Sequence, residues 1–289
     1  NECMFNTTQC VSPTNQVQRL DASNNILATT TTIQACATAA TAGQTCLVFP
    51  GVYNEIVTIS NNGNSANRIT FRTQVAKQAV MQGFVINGDF ITIDGFTIAN
   101  STGNGIDITN TGNPADNVNI VNNDFLEIRG FAIRYFGSTV NPISRNVYIG
   151  NNYVYKSRYG FDIAGINWTI ENNEINKLFL WGSGNDAVYS RFFGYNITFR
   201  KNYFHGTIIN FSDANPNMGG YSDVCPNQII PSNYFSACAH IDGFQTFNFN
   251  GEVVDNMLFE ENYVTDFHQG RLLQDLANTA SIRNIKVRN

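Results

Sequence analysis

The chain has 289 residues, and its 17 lysines and arginines against 22 aspartates and glutamates give a formal net charge of −5. Only 13% of the residues are charged, about half the share in an average soluble domain. A mildly acidic chain without a basic cluster is a poor candidate for binding nucleic acid or an anionic membrane. No apolar run approaches the roughly 18 residues of a membrane span, and 43% hydrophobic residues exclude disorder and allow a core.

Six cysteines fall into three local pairs whose spacing fits no zinc-binding pattern. Proximity predicts the disulfides Cys3–Cys10, Cys36–Cys46 and Cys225–Cys238. Such bonds place the protein in an oxidising compartment, secreted or at the cell surface, whereas buried free thiols in a cytosolic protein are the alternative. Five Asn-x-Ser/Thr sequons permit N-glycosylation there, at Asn6, Asn100, Asn167, Asn196 and Asn210.

A short pattern recurs along most of the chain: an alternating apolar strand, an asparagine, and a second short strand. Clear copies cover residues 117–125, 146–154, 167–175, 196–204 and 256–264, with a weaker copy at 90–98 and a truncated one at 282–289. Most steps are 21–29 residues, which is typical of one coil of a β-solenoid. The asparagine tolerates a left-handed turn and can hydrogen-bond to its equivalent in the next coil. A β-sandwich with coincidental asparagine turns is the alternative.

These copies resemble the coils of right-handed parallel β-helix proteins of the pectate-lyase-like superfamily. The segment 32–40, followed by residues 43–55, is similar to the start of such domains, where a short helix caps the first coil and a Pro-Gly-x-Tyr turn follows the first strand. The resemblance implies an all-β, single-domain right-handed parallel β-helix (solenoid) of about ten coils with a short N-terminal capping helix. We expect an extension over residues 1–27, the β-helix over 28–289, and a loop insertion at about 207–239. Lyases, hydrolases, epimerases and adhesins share this fold, so it does not determine the function.

A further strand follows each asparagine turn and often begins with glycine. The pattern predicts that these strands form one parallel sheet. If the apolar residues point inward, alternation places Asp107, Asp162 and Gln245 on the outer face of that sheet. Other polar residues are expected near the same face, namely Arg134, Asp186, Arg191, Gln274 and Asp275. Carboxylates on neighbouring coils, such as Asp162 and Asp186, would lie near the ~5 Å separation of retaining glycosidases. A solvated face is the alternative for these aspartates.

Substrate-binding candidates precede these strands or lie beside them: Lys156, Arg158, Tyr159, Lys177 and Trp181. In β-helix lyases a lysine or arginine removes the proton α to a uronate while cations or Ca²⁺ neutralise its carboxylate, so the resemblance implies Ca²⁺ only for a lyase and otherwise no cofactor. Residues 159–162 are similar to a mannuronan epimerase motif, with Ile163 and Ala164 in place of its proline and histidine. The Gly-Asp-Asp and Gly-His-Gly pair of polygalacturonases and the Arg-x-Pro-x-x-Arg motif of pectate lyases are absent from the sequence.

The predicted insertion leads directly into residues 240–247. His240 and Asp242 are two residues apart on an extended segment, so they face the same side and form a candidate acid–base pair. The segment resembles the His-x-Asp-Gly coil of many secreted β-helix proteins. We expect His240, Asp242, Asp162 and Asp186 to be catalytic. The alternative is that His240 and Asp242 only attach the insertion to the helix.

Together these patterns predict a secreted protein that binds an extracellular polysaccharide and cleaves or epimerises it. Arg191 and Gln245 are expected to contact the sugar with the aromatic and basic candidates. The alternative function is a structural subunit of an extracellular filament, sheath or adhesin, assembled end to end through the open strand near Asn289. A carbohydrate-binding module without activity is a third hypothesis.

Overall fold

The computed structural model describes residues 15–109, 114–136, 144–179, 186–207, 240–247, 252–267, 269–274 and 282–289. Within these ranges the chain forms one short helix and 25 strands, and the strands belong to one continuous sheet that winds through successive coils.

The first coil is closed by a hairpin and a helix. These elements are β1 (Val17–Leu20), β2 (Ile26–Thr30), α1 (Ile33–Ala39) and β3 (Thr45–Val48). The strand β1 pairs antiparallel with both β2 and β3, so the predicted boundary after residue 27 falls inside the hairpin. The Thr32 hydroxyl accepts a hydrogen bond from the Ala35 N–H and caps α1, and the Cys36–Cys46 disulfide joins α1 to β3. The predicted capping helix and this disulfide are confirmed.

Three faces follow from strands that repeat in each coil. The first face contains β3, β5 (Ile69–Thr73), β7 (Ile91–Asp94), β10 (Asn119–Val121), β14 (Tyr148–Gly150), β17 (Thr169–Glu171), the end of β19 (Asp186–Arg200), β22 (Val254–Glu260) and β25 (Ile282–Arg288). The second face contains the starts of β4 (Gly51–Ile59) and β6 (Ala79–Ile86), then β8 (Thr97–Ala99), β11 (Asp124–Leu126), β15 (Tyr153–Ser157), β18 (Glu174–Leu178), β20 (Tyr203–His205) and β23 (Tyr263–Val264).

The third face contains the ends of β4 and β6, then β9 (Ile106–Thr109), β12 (Phe131–Phe136), β16 (Tyr159–Ile166), the start of β19, β21 (His240–Phe247) and β24 (Gln269–Gln274), while β13 (Ser144–Arg145) pairs with the end of β16. All pairs after the hairpin are parallel, and the apolar residues stack inward. Ile120, for example, lies opposite Ile93 and Ile149, and all three are fully buried. The predicted parallel β-helix is confirmed.

Two roles are predicted for the repeated asparagine, a left-handed turn and a hydrogen bond to the next coil. At the corner between the first and second faces, two adjacent positions perform these roles separately. The buried column is Asn123, Asn152, Asn173, Asn202 and Asn262. In it, each main-chain N–H and side-chain Nδ2 donates to Oδ1 of the next asparagine over 2.8 to 3.1 Å. The residue before each one takes the left-handed conformation, with φ of 56° at Asn122 and 55° at Asn151. The asparagine pattern therefore satisfies buried polar groups without using charge.

A second column of asparagines precedes the first face and is mostly exposed. Every residue of this column has the left-handed conformation, and from the second one onward each Nδ2 donates to the Oδ1 of the asparagine before it in the column. The members are Asn117, Asn146, Asn167, Asn196 and Asn256. The sequons at Asn100, Asn167 and Asn196 are exposed, and their glycosylation stays a prediction.

Several predicted features lie outside the described residues, namely Asn6, Asn210, Trp181, the insertion at 208–239, and the Cys3–Cys10 and Cys225–Cys238 disulfides. None of the described helical segments has the length and apolar character of a membrane span. End-to-end assembly stays a prediction, because the structure contains a single copy of the chain.

Candidate functional site

Five polar side chains form a row across five consecutive strands of the third face, and we call this row the charge ladder. Its members, in register from β9 to β21, are Asp107, Arg134, Asp162, Arg191 and Gln245. Their neighbours Ile106, Ile108, Phe161 and Ile163 are fully buried, so the ladder occupies the outer side of the sheet. The outward orientation predicted for Asp107, Asp162 and Gln245 is therefore confirmed, while their roles at a site stay predictions.

Arginines stand on both sides of Asp162. The Arg134 Nε lies 3.4 Å from the Asp162 Oδ2, and Arg191 is its register partner on the next strand. Burial raises the pKa of Asp162, and the charges of Arg191 and Arg134 oppose that rise. The Asp162 side chain keeps 16% of its surface accessible.

Asp107 ends the ladder in a similar environment. The Asn104 Nδ2 donates to its Oδ1 over 2.8 Å, and the Asn104 Oδ1 accepts from the Phe131 N–H. Burial raises the pKa of Asp107, while the Asn104 hydrogen bond and the Arg134 charge oppose the rise. The ladder thus holds two carboxyl groups, two strands apart, that bind a proton more readily than solvated aspartates.

Two aromatic rings lie beside the ladder. Phe131 and Tyr159 are register partners, with ring centroids 4.5 Å apart and planes 21° from parallel. The Arg191 guanidinium carbon lies 5.6 Å from the Phe131 centroid and 5.5 Å from the Tyr159 centroid. Arg134 approaches Phe131 at 5.8 Å, and Arg158 approaches Tyr159 at 4.9 Å. Three guanidinium groups therefore surround one stacked pair of rings.

Gln245 connects the ladder to Asp242. The Arg191 Nε donates to the Gln245 Oε1 over 2.8 Å, and the Gln245 Nε2 donates to the Asp242 Oδ2 over 2.8 Å. Asp242 is fully buried. Arg191, Gln245 and Asp242 therefore form a hydrogen-bonded network, in which Gln245 bridges the other two side chains.

The register changes the position expected for Asp186. Asp162 lies opposite Arg191, whereas Asp186 lies opposite His240, five residues earlier on β19. Because each residue of a strand advances about 3.3 Å, Asp186 is far from the neighbouring-coil position beside Asp162. The expected carboxylate pair is therefore wrong. The structure describes only the backbone of Asp186 and His240, so their catalytic roles stay predictions.

Two predicted lysines occupy the corner between the second and third faces. Lys156 and Lys177 are left-handed, with φ of 55° and 70°. The Lys156 Nζ lies 3.6 Å from the Glu127 Oε1 and 5.3 Å from the Tyr155 ring centroid. These contacts connect Lys156 to the second face rather than to the ladder.

The described residues of the third face do not fit a Ca²⁺ site. Calcium binds six to eight oxygen ligands, whereas each ladder carboxyl has an arginine as its register neighbour. Across the described part of the chain, no three His, Cys, Asp or Glu side chains gather where they could hold a metal ion.

Asn104 and Phe131 were not predicted as site residues. Asn104 precedes a glycine in a turn, a position that asparagine often occupies for conformational reasons alone. Phe131 reads as an ordinary core residue of a Gly-Phe strand. Only the register, which pairs Phe131 with Tyr159, places its ring beside the arginines.

No protein-family model and no curated protein matches this chain. An alginate lyase from Paenibacillus sp. str. FPU-7 is similar in structure, with 13% identity, a TM-score of 0.46, and coverage of 89% of this chain and 96% of that chain. The pectate lyase Pel9A has 12% identity and a TM-score of 0.46, with coverage of 89% and 73%. A lacto-N-biosidase from Eubacterium ramulus has 11% identity and a TM-score of 0.32, with coverage of 94% and 54%. Likenesses at these scores carry no argument about chemistry, which depends on the residues of the site itself.

Proposed function

We propose that this β-helix protein binds an acidic extracellular polysaccharide along its third face and cleaves it there. The observation that carries the proposal is the charge ladder, which repeats one polar side chain per coil over five strands. Neighbouring strands are about 4.8 Å apart, so a linear polymer lying along the helix axis would meet a ladder residue at every step. The Cys36–Cys46 disulfide supports a location outside the cytosol.

The arginines favour a carboxylate-bearing sugar. The planar guanidinium groups of Arg134, Arg158 and Arg191 converge on the Phe131–Tyr159 ring pair. A guanidinium group matches the two oxygens of a carboxylate. Phe131 is buried, but the partly exposed ring of Tyr159 provides an apolar surface for the C–H face of a sugar. A uronate unit placed here would use both kinds of contact.

Asp162 is the residue best suited to transfer a proton. Its raised pKa allows it to remain protonated closer to neutral pH than a solvated aspartate, as donation to a glycosidic oxygen requires. Both hydrolysis and β-elimination can use such a donor. The predicted pair of His240 and Asp242 is the other candidate for this role.

Binding is tested by affinity electrophoresis in gels that contain alginate, polygalacturonate or neutral dextran. We expect retardation by an acidic polymer but not by dextran, and a loss of affinity of about tenfold in Arg191→Ala. Arg200→Ala is the matched control, because Arg200 pairs with Glu171 on the first face. It should stay within about twofold of the wild type. Equal losses in both variants, or no retardation at all, would reject the proposal.

Cleavage is tested on whichever acidic polymer binds. Unsaturated products that absorb in the ultraviolet identify elimination, and saturated reducing ends identify hydrolysis. We expect Asp162→Asn to lose at least about a hundredfold in kcat while it still binds the polymer. If Asp162→Asn keeps full turnover and His240→Ala abolishes it, His240 and Asp242 replace Asp162 as the acid–base group.

A further inference from the structure

The second face carries four outward tyrosines, which we call the tyrosine strip: Tyr153, Tyr155, Tyr203 and Tyr263. The side chains of Tyr203 and Tyr263 are 42% and 61% exposed, and those of Tyr153 and Tyr155 are half-buried. Large rings left in water forgo the free energy of burial, and a row of them on one face is a mark of an interaction site.

Tyrosines and polar residues alternate over β15, β18 and β20, and Tyr263 on β23 follows Tyr203 directly. One column along the helix axis reads Tyr153, Glu174, Tyr203 and Tyr263, and the neighbouring column reads Tyr155, Asn176 and His205. An aromatic pair on β15 is therefore followed by a polar pair on β18 and by a second aromatic pair on β20. The two aromatic pairs are separated by two coils, or about 9.6 Å.

The rings are held in place by the polar pair between them. Tyr153 and Tyr155 lie 7° from parallel with centroids 6.4 Å apart, and Tyr203 stacks on His205 at 3.8 Å. The Asn176 Nδ2 donates to the Tyr153 hydroxyl over 3.3 Å, and the Glu174 Oε1 lies 2.9 Å from the His205 Nε2. Rings that are already oriented lose less rotamer entropy when a ligand covers them.

We propose that the tyrosine strip is a second carbohydrate-binding surface, which takes an uncharged, extended β-linked glycan along the helix axis. The C–H faces of the sugars would pack on the aromatic pairs, and the hydroxyls would bond to the phenol, amide and carboxylate groups between them. The two-coil interval is close to the length of a disaccharide. In an extended β-linked chain, the same sugar face returns after each disaccharide.

The charge of this surface favours a neutral ligand. Three lysines around the strip have acidic partners: the Lys77 Nζ lies 2.6 Å from Asp124, the Lys156 Nζ 3.6 Å from Glu127, and the Lys201 Nζ 3.9 Å from Glu261. The Lys177 Nζ lies 5.6 Å from the Phe179 ring centroid. The charged group within the strip is the carboxylate of Glu174, which repels a polyanion. The third face differs in charge, because three arginines surround its rings. The second-face proposal therefore does not depend on the function proposed for the third face.

The test is isothermal titration of the full chain with the β-1,4-linked hexasaccharides of glucose and of N-acetylglucosamine. We expect the wild type to bind at least one of them, and the double variant Tyr203→Ala with Tyr263→Ala to lose about tenfold or more in affinity. The double variant Tyr203→Phe with Tyr263→Phe should keep most of the affinity. Tyr148→Ala is the matched control, because Tyr148 is a half-buried tyrosine on the first face.

Each outcome decides the proposal. Absence of binding to both hexasaccharides, or equal affinity in the double alanine variant and in Tyr148→Ala, overturns it. A loss of hexasaccharide binding in Arg191→Ala also overturns it, because the neutral glycan would then occupy the third face. Retained hexasaccharide binding in Arg191→Ala together with lost alginate or polygalacturonate binding supports two separate surfaces. If all variants fail to bind acidic polymers while the tyrosine variants alone lose the hexasaccharide, only the third-face function fails.

Discussion

Asp162 and Arg191 lie directly opposite each other on neighbouring strands of the third face, with Arg134 opposite Asp162 on the other side. Two guanidinium groups therefore act on one carboxyl group that is largely removed from water. Burial raises the pKa of Asp162 more than the two cations lower it. The pKa of Asp162 is therefore above the ordinary aspartate value, and its ionisation makes the stability of the fold depend on pH.

We predict that the stability of the wild type, relative to Asp162→Asn, decreases as the pH rises above the ordinary aspartate value of 3.8. Folding raises the pKa of this group. At a pH between its unfolded-state pKa and its folded-state pKa, the group therefore binds more protons in the folded state than in the unfolded state. The free energy of unfolding therefore falls across that window and changes no further above it. Urea denaturation of both proteins from acid to neutral pH measures the difference.

Asp255 provides a control of opposite sign. Hydrogen bonds from Asn284 and then Arg283 lower the pKa of Asp255, so its contribution is present above the unfolded value and is lost as the pH falls. Relative to Asp255→Asn, the wild type should gain stability as the pH rises. A parallel trend for the Asp162 and Asp255 variants would contradict the electrostatic account of the ladder.

The coils and their inward faces could be predicted from the sequence, but the register of the third face could not. Aligning the glycines that begin these strands places Ala132 opposite Asp162, whereas Arg134 is the true partner. Gly105 and Gly160 belong to the sheet, where a Cβ would lie 2.6 Å and 2.1 Å from a carbonyl of the next strand. Gly130 lies in the preceding turn, against Asn104 and Gly103. Glycine is therefore required for close strand pairing in two coils and for a close turn in the third, and the turn glycine stands two positions earlier in the register.

The asparagine column shows what local pattern can predict. A buried amide that bonds to its equivalent in the next coil needs the same residue at the same corner of each coil, so the repeat is visible in the sequence. The charge ladder has four pairings between neighbouring strands, and its members are of three residue types, Asp, Arg and Gln. The spacing after the strand glycines identifies Asp107, Asp162 and Gln245, but their arginine partners are known only from the strand pairing.

We predict that Asn173→Ala lowers the free energy of unfolding by about 3 kcal/mol. Its amide accepts from the Asn152 main chain and side chain and donates to the Ile149 carbonyl, so truncation leaves buried groups without partners. Asn167→Ala, in the exposed column, should cost less, about 1 to 2 kcal/mol. Water replaces its hydrogen bonds, and the remaining cost is that of an alanine in the left-handed conformation. Urea denaturation of the two variants measures both values. Equal losses would show that the buried column is no more important than the exposed one.

We predict that Gly194→Ala destabilises the fold by more than about 3 kcal/mol. Gly194 has φ of +110°, and a Cβ there would lie 2.0 Å from the Gly165 carbonyl oxygen on the neighbouring strand. Gly103→Ala is the matched control, because a Cβ at Gly103 meets nothing within 4 Å. Thermal unfolding should show a large decrease in Tm for the first variant and little change for the second. A tolerated alanine at 194 would mean that β16 and β19 can separate there at little cost.

We predict that removing the Cys36–Cys46 disulfide lowers the free energy of unfolding by about 2 to 3 kcal/mol. The bond closes a loop of sequence separation 10 and holds α1 against β3, where both sulfur-bearing residues are buried. The double variant Cys36→Ala with Cys46→Ala avoids a buried free thiol, and its urea unfolding is compared with that of the oxidised wild type. Because α1 covers the first coil, the loss should appear together with faster hydrogen exchange in β3. Exchange that accelerates equally in the last coils would instead show that the solenoid unfolds as one unit and that the cap has no local role.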